Sequence, residues 1–411
     1  MKIYAENLDP AALEQFESAM AQPFVVAGAL MPDAHKGYSL PIGAVVSTKD
    51  KIVPAWVGYD VGCGVSALKL SKSVTKEDIS AKAKDIFDAI YREVPVGFNK
   101  NSIGIPYSLE GLTEKGKEIV KAKQYEKALG TLGGGNHFIE IGADEEDNVW
   151  IVIHSGSRGV GHGIASHYMT IASTDSLDDV RVAAGVLFDS ASTDMKASVD
   201  IHKYREVKAR FVEKKVAAVL KGAKAKEGHF ALDVNAGEGR HYIQDLNWCL
   251  EYALANREEM VRRIIGVISK KLNVINETGM IGLINRNHNH AVLKEGLWVH
   301  RKGATHAEEG MLGAIPGNMR DGTFIVRGKG NKDSLESSSH GAGRILGRKA
   351  AKKALNMEDF AETMQGITAL VQEDTLDESP GAYKDIHEVI RLQKDLVEVI
   401  AHIKPIINIK G

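Results

Sequence analysis

Apolar positions recur with two different periods along the chain, and the changes of period divide it into blocks. Residues 24–70 carry the short apolar runs FVVAGALMP, PIGAVVS and KIVPAWVGYDVGCGVSALKL, broken by Gly, Pro and Asp. That pattern predicts short strands joined by tight turns. Residues 75–91 (TKEDISAKAKDIFDAIY) open with a Thr cap and an acidic first turn, then place apolar residues at helical spacing. From 101 to 130 the chain is polar and reads as helical or irregular, after which NHFIEIGA and NVWIVIHSG return to strand character. Residues 163–265 are mostly helical by period, and within them HKYREVKARFVEKKVAAVLKGAKAK (202–226) is markedly basic. Past residue 280, LINRNHNHAVL, GLWVHRKGATHA and GTFIVRGKG predict strands and turns. A basic helix at 343–355, a helical tail and a closing strand in IKPIINIKG complete the chain. No repeat of 20–50 residues and no low-complexity linker divides it. The expectation is one mixed α+β domain over 1–411, with short strands around a central cleft and the helical 163–265 stretch as an insertion or subdomain.

Composition narrows the setting rather than the function. Hydrophobic residues make up 44% and charged residues 26% of 411, ordinary for a folded chain. The net charge of −2 argues neither for nor against a polyanionic partner, so any phosphate-binding surface must be local. Aromatics, at 6%, are too few to suggest a large base-stacking surface. The two cysteines, Cys63 and Cys249, exclude a disulfide framework and fit a reducing compartment. The N-terminal segment lacks a basic stretch followed by an apolar one, and no apolar run is long enough to cross a bilayer. A cytoplasmic protein without a membrane partner is expected.

The 15 histidines are the informative feature, because several sit beside Gly, Asn or Asp rather than on apolar helix faces. In YDVGCG, Asp60 and Cys63 lie three apart on a glycine-punctuated turn, and a carboxylate with a thiolate suits a borderline divalent ion. The same tetrapeptide equally describes a buried cysteine beside a turn-forming Asp. His137 follows three glycines and Asn136 in GGGNHFIE, where bare backbone can approach a ligand closely. A flexible hairpin turn is the bland alternative. His154 ends the apolar run of WIVIHSGSRG, four residues before Arg158, whose fork can grip phosphate. In NRNHNHA, His288 and His290 alternate, so at most one of them should join a given metal centre. Together Asp60, Cys63, His137, His154 and His288 form a mixed O, S and N set able to serve one or two transition-metal ions with open positions for substrate. Finally, in SSSHGAGRILGRKAAKK, His340 precedes Gly341, Ala342 and Gly343, so little bulk would crowd an attacking imidazole. Arg344 and Arg348 follow at i, i+4 spacing. A nucleophilic histidine beside phosphate-binding arginines is what nucleotidyl transfer needs; a solvated helix face is the ordinary reading of the charges.

The motifs MPDAHKGYSLPIG, GYDVGCG, GGGNHFIE, HSGSRG, HNH, IPGNM, SSSHGAGR and AYKD, with the terminal Lys-Gly, resemble in residue type and order those of the RNA-splicing ligase RtcB family. The resemblance runs from about residue 24 to the C-terminus and is weakest across 75–130 and 163–265. It implies a GTP- and Mn²⁺-dependent RNA ligase that joins 3′-phosphate or 2′,3′-cyclic phosphate ends to 5′-hydroxyl ends through a guanylylated histidine, in tRNA splicing or RNA repair. By that resemblance Cys63 would bridge two Mn²⁺ ions, completed by Asp60 and His137 on one side and by His154 and His288 on the other. His340 would be guanylylated, and Asp33 would serve the later RNA steps. Glu140 and Lys410 would read guanine, Tyr383 would stack on it, and Asn136 would contact phosphate or ribose. Asn318 stands near the nucleotide where Ser is usual. Arg158, Arg344 and Arg348 would contact RNA phosphates. RNA and an activating protein are the implied partners. The alternatives are a metal-dependent cyclic phosphodiesterase that never ligates, and a non-catalytic RNA-binding partner; the former would need the metal ligands but not His340, Tyr383 or Lys410.

Overall fold

The apolar runs near 138–155 read as continuous rather than alternating because the strands they form are covered on both faces. Phe138–Ala143 and Val149–Ser155 pair antiparallel and are buried at every position. In the computed structural model, which describes residues 1–192, 201–220, 226–277 and 279–411, they lie inside a sheet of eight strands. The path runs Leu312–Pro316, Thr323–Gly328, Val397–Lys410, Phe138–Ala143, Val149–Ser155, Gly64–Lys69 and Ile284–Asn287, with Thr368–Ala369 beside the C-terminal strand. Ile139, Ile141, Ile151 and Ile153 share one core with Met260, Val261 and Ile264 of the helix Gly237–Leu272. Val65, Phe138 and Val152 share another with Ile325 and Ile403.

A second sheet of five strands runs in the order Lys2–Ile3, Val25–His35, Ile42–Thr48, Leu297–Lys302 and Asn289–Lys294. Only His288 separates the last strand of the large sheet, Ile284–Asn287, from the strand Asn289–Lys294 of the small one. The chain therefore passes between sheets at that histidine, whose N–H donates to the Cys63 carbonyl at 2.7 Å. Helices and strands are intermixed along the chain in an α+β arrangement, as the two periods predict.

Local departures from the expected elements have plain causes. KIVPAWV reads as strand, yet only Lys51–Ile52 is one, because Pro54 cannot donate to a ladder and instead opens the helical turn Pro54–Val57. The 75–91 helix is capped by Thr75, which accepts from the Asp78 N–H at 3.1 Å, but it breaks at Lys82 into Lys76–Ala81 and Ala83–Glu93. The expected basic helix at 343–355 is shorter, Arg348–Ala354, because Gly343 is left-handed (φ +74) and Arg344 is bridged to Tyr383 in extended backbone. The helical block runs from Arg158 to Leu272 through the helices Arg158–Ala191, Ile201–Leu220 and Gly237–Leu272. Residues 193–200 and 221–225, which fall within the expected 163–265 subdomain and partly within the basic 202–226 segment, lie outside the described residues.

One buried cation ties these elements together behind the sheet ends. Arg257, on the helix Gly237–Leu272, is fully buried and donates from Nη1 to the carbonyls of Gly62 at 2.9 Å and Ser155 at 2.8 Å. Its Nε and Nη2 donate to the side-chain oxygens of Asn285 and Asn287, both at 2.7 Å. Arg257→Met keeps the volume but strands four acceptors, and urea unfolding should show a loss of roughly 3–5 kcal/mol. A second buried group sets an acid limit. His300 Nε2 accepts from the Val53 N–H at 3.0 Å, and burial lowers its pKa to about 4. A folded pKa below the unfolded value of ~6.5 favours the neutral ring. Its contribution is thus full above pH ~6.5 and lost as pH falls toward 4. Unfolding midpoints should fall across that window, and His300→Gln should flatten the fall by on the order of 3 kcal/mol.

Candidate active site

The turn carrying Asp60 and Cys63 closes with the Cys63 N–H donating to the Asp60 carbonyl at 3.1 Å. Cys63 Sγ lies 3.2 Å from His154 Nε2 and 3.4 Å from His137 Nε2. His137 Nε2 is 3.1 Å from Asp60 Oδ2, and His154 Nε2 is 3.3 Å from His288 Nε2. Two overlapping groups result, Asp60–Cys63–His137 and Cys63–His154–His288, each with donor atoms within 4.8 Å of one another. Backbone carbonyls fix two of the rings. His137 Nδ1 donates to Leu132 O at 2.9 Å and His154 Nδ1 to Asn136 O at 3.2 Å, which leaves each Nε2 lone pair aimed at the cluster. Burial holds His154 and His288 well below the ordinary imidazole pKa, so both are neutral donors. Burial opposes ionisation of Asp60, but His137 beside it keeps the carboxyl below its usual range. Burial, then Asp60, push the Cys63 thiol well up; ligation of a divalent cation would reverse this, because a coordinated thiol is deprotonated. The donor set of one thiolate, three imidazoles and one carboxylate fits borderline divalent metal, with Cys63 common to both groups.

The sequence alternation at His288 and His290 separates them. His290 stacks on His306 with ring centroids 4.7 Å apart and lies 3.2 Å from Arg301 Nη1, away from the cluster. His340 is on the cluster side, its ring centroid 4.7 Å from that of His288. Its Nδ1 lies 2.7 Å from Oδ2 of the fully buried Asp33, which also accepts the His340 backbone N–H at 3.2 Å. Close passage of the two segments makes this possible: a Cβ on Gly343 would come within 2.1 Å of the Asp33 carbonyl. With Nδ1 donating to Asp33, the lone pair of His340 is at Nε2.

His340 opens onto a cavity of about 290 Å³ lined also by Asn136, Glu140, Asn318, Tyr383 and Lys410. Strand register builds its floor. Phe138 pairs with His154 on one side and Lys410 on the other, while Glu140 pairs with Val152 and Asn408. Alternate positions thus put Phe138, Glu140, His154, Asn408 and Lys410 on one face. Glu140 is buried, accepts from Thr323 Oγ1 at 3.0 Å, and is pushed by burial up to about 8. Asn318 lines the cavity while its Oδ1 accepts from the N–H groups of Arg320 and Asp321, both at 3.0 Å.

Glu378 is the residue that sequence reasoning passed over. Lys410 donates to its Oε2 at 2.7 Å, rather than to Glu140, and the Tyr383 hydroxyl donates to the same oxygen at 2.6 Å. Arg344 and Arg348 reach its Oε1 at 3.1 and 2.6 Å, and Arg348 also reaches Asp377 Oδ2 at 2.6 Å. Burial would raise this carboxyl, but Lys410 and Arg348 hold it down at about 2. The Arg344 guanidinium carbon is 4.9 Å from the Tyr383 ring centroid. Arg158 points elsewhere, donating to Thr131 Oγ1 at 2.9 Å and to Gly97 O at 3.0 Å. All three arginines expected on RNA phosphates therefore already hold protein acceptors. The only sequence signal for Glu378 is the acidic pair of DESPGAYKD; which cations it would meet is a matter of tertiary contact.

The family model described as tRNA-splicing ligase RtcB matches residues 15–128 and 108–411. Among similar proteins, the RNA-splicing ligase RtcB of Escherichia coli strain K12 is 33% identical over 427 aligned residues, covering 97% of this chain and 94% of that protein. The tRNA-splicing ligases RtcB of Pyrobaculum aerophilum and Thermococcus kodakarensis are 27% and 26% identical, each covering 93% of this chain and 87% of the relative.

The shared sulfur gives a direct expectation. Cys63→Ala should weaken divalent-metal binding at both groups, so elemental analysis after dialysis against a divalent metal should find less retained metal per chain than in the unmodified protein.

Proposed function

Since the chain belongs to the RtcB family of tRNA-splicing ligases, we propose that it is an RNA ligase that joins 3′-phosphate or 2′,3′-cyclic phosphate ends to 5′-hydroxyl ends at the expense of GTP. The observation that carries the reading is His340, an imidazole oriented by buried Asp33 at 2.7 Å, standing between the donor cluster and a nucleotide-sized cavity. Two Mn²⁺ ions, held by Asp60, Cys63 and His137 and by Cys63, His154 and His288, would supply positive charge against the phosphate oxygens.

His340 Nε2 attacks the α-phosphorus of GTP; an N–P bond forms and the bond to pyrophosphate breaks. Asp33 holds the Nδ1 proton throughout, so the ring keeps the nucleophilic tautomer and its developing positive charge is balanced. Glu140, Lys410 and Tyr383, which line the cavity, receive the base, and Asn136 meets the phosphate or ribose. An oxygen of the RNA 3′-phosphate then takes the GMP from His340, and the 5′-hydroxyl attacks that 3′-phosphorus and expels GMP. Arg344 and Arg348, close to His340 in the chain, serve the RNA phosphates by exchanging Glu378 for them. An activating protein partner and a place in tRNA splicing or RNA repair belong to the same reading.

Incubation with α-³²P-GTP and Mn²⁺, followed by a denaturing gel, tests it. The expected result is an acid-labile, alkali-stable label that is absent in His340→Ala. Asp33→Asn should slow labelling by roughly 100-fold or more, because the amide no longer enforces the Nδ1–H tautomer. No label on a metal-loaded protein, with ATP also silent, would turn the assignment toward a phosphodiesterase.

A further inference from the structure

We propose that Phe98 is a stacking surface for a nucleobase of the RNA strand next to the reacting end, an inference that rests on the RNA-ligase reading. Among the described residues Phe98 is the most exposed large apolar side chain, at 103% of its reference area. The backbone on either side of it is anchored. On one side the Gly97 N–H donates to Gly133 O at 2.8 Å, and Gly97 O accepts from Arg158 Nη2 at 3.0 Å. On the other, Asn101 donates from its backbone to Lys127 O at 2.9 Å and from Nδ2 to Leu129 O at 2.6 Å, while its Oδ1 accepts from Arg263 at 2.9 Å. Between these anchors the Asn99 N–H closes a turn onto Val96 O at 3.2 Å. A bare phenyl ring presented to water on a turn pinned at both ends is an arrangement suited to a flat apolar partner.

Its neighbours point to a nucleic acid strand. The Gly97 backbone lies against Gly133 and Gly134, the glycines that lead directly into Asn136 and His137 of the active site. Gly134 and Gly135 are exposed, and the Arg348 guanidinium stands beside Gly135, 3.3 Å from where a Cβ would sit, so glycine backbone flanked by a cation leads from the Phe98 turn toward His137. Arg158 lies under the turn, and exposed Lys100, held at Lys123 O at 2.9 Å, follows the ring by two residues. Asn99, Lys100 and Ser102, which follow Phe98 in the chain, are polar and exposed, and Ile103 beyond them adds a second exposed apolar side chain, a mixture that suits a base flanked by phosphates. Stacking on a single ring is tolerant of sequence, as a ligase acting on cleaved ends requires.

The test pairs Phe98→Ala and Phe98→Trp with short RNAs ending in 3′-phosphate and 5′-hydroxyl, each also made with one abasic nucleotide at successive positions from the ends. Fluorescence anisotropy should show Phe98→Ala binding the complete RNA roughly 5- to 100-fold more weakly. The deficit should vanish on the RNA that is abasic at the stacked position. Phe98→Trp should keep the affinity, with its fluorescence quenched on binding. Covalent labelling by GTP should be unchanged in both variants. Equal RNA affinity for Phe98→Ala and the unmodified protein, or a deficit that persists on every abasic RNA, would overturn the proposal. Absence of GTP labelling in the unmodified protein would instead sink the ligase reading, while the RNA comparison would still decide the role of Phe98.

Discussion

Arg257 is the constraint on which the site depends. Its guanidinium spans Gly62, Ser155, Asn285 and Asn287, and Gly62, Ser155 and Asn287 adjoin Cys63, His154 and His288 in the chain. Its neighbour Asn256 accepts from the N–H groups of Gly130 and Thr131 at 2.7 and 3.2 Å and so fixes the start of the glycine-rich loop that ends in His137. Two consecutive helix residues therefore set the spacing of four donor-bearing segments that have little regular structure of their own at that point. The hydrogen-bond partners of Arg257 are all neutral, so its charge is balanced at longer range by carboxylates such as Asp60 and Glu258, and burial lowers its pKa to about 10. A cation placed there favours a thiolate in front of it, which couples folding of the sheet ends to the chemistry of the cluster.

The cavity side of the site is held by the opposite sign of charge. Glu378 is a buried carboxylate on which Lys410, Arg344, Arg348 and Tyr383 converge. The cost of burying so many charges is offset only if each finds its partner, and the C-terminal strand makes that possible by carrying Lys410 to its register opposite Phe138. Between the two networks lies His340, fixed by Asp33 from the small sheet, so its imidazole stands where the two sheets and both charge systems meet. An approaching polyanion finds positive charge that the protein has already gathered and paired. On the proposed reading, phosphate binding would proceed by exchange of acceptors, without first assembling the cations.

The metal-site candidates were legible because each sits at a break in the apolar pattern. Asp60 and Cys63 occupy a glycine turn, His137 follows three glycines, and His154 ends a strand. The alternation of His288 and His290 also told that the two diverge, since side chains of an extended chain point to opposite faces. The contact between Asp33 and His340 could not be read, because 306 intervening residues separate them and only sheet packing brings them together. Arg257 and Glu378 were hidden for a related reason: one resembles any charge on a long helix, the other any acid before a turn.

By itself the sequence determined the α+β alternation, the strand and helix periods, and the residue types able to hold divalent metal or attack phosphate. These follow from local rules, since period, turn chemistry and glycine content act within a few residues. The tertiary structure alone decided which donors share Cys63, which carboxylate orients His340, and which acid gathers the arginines. Those are choices among chemically equivalent partners, and only the distances set by strand register and by a buried arginine distinguish them.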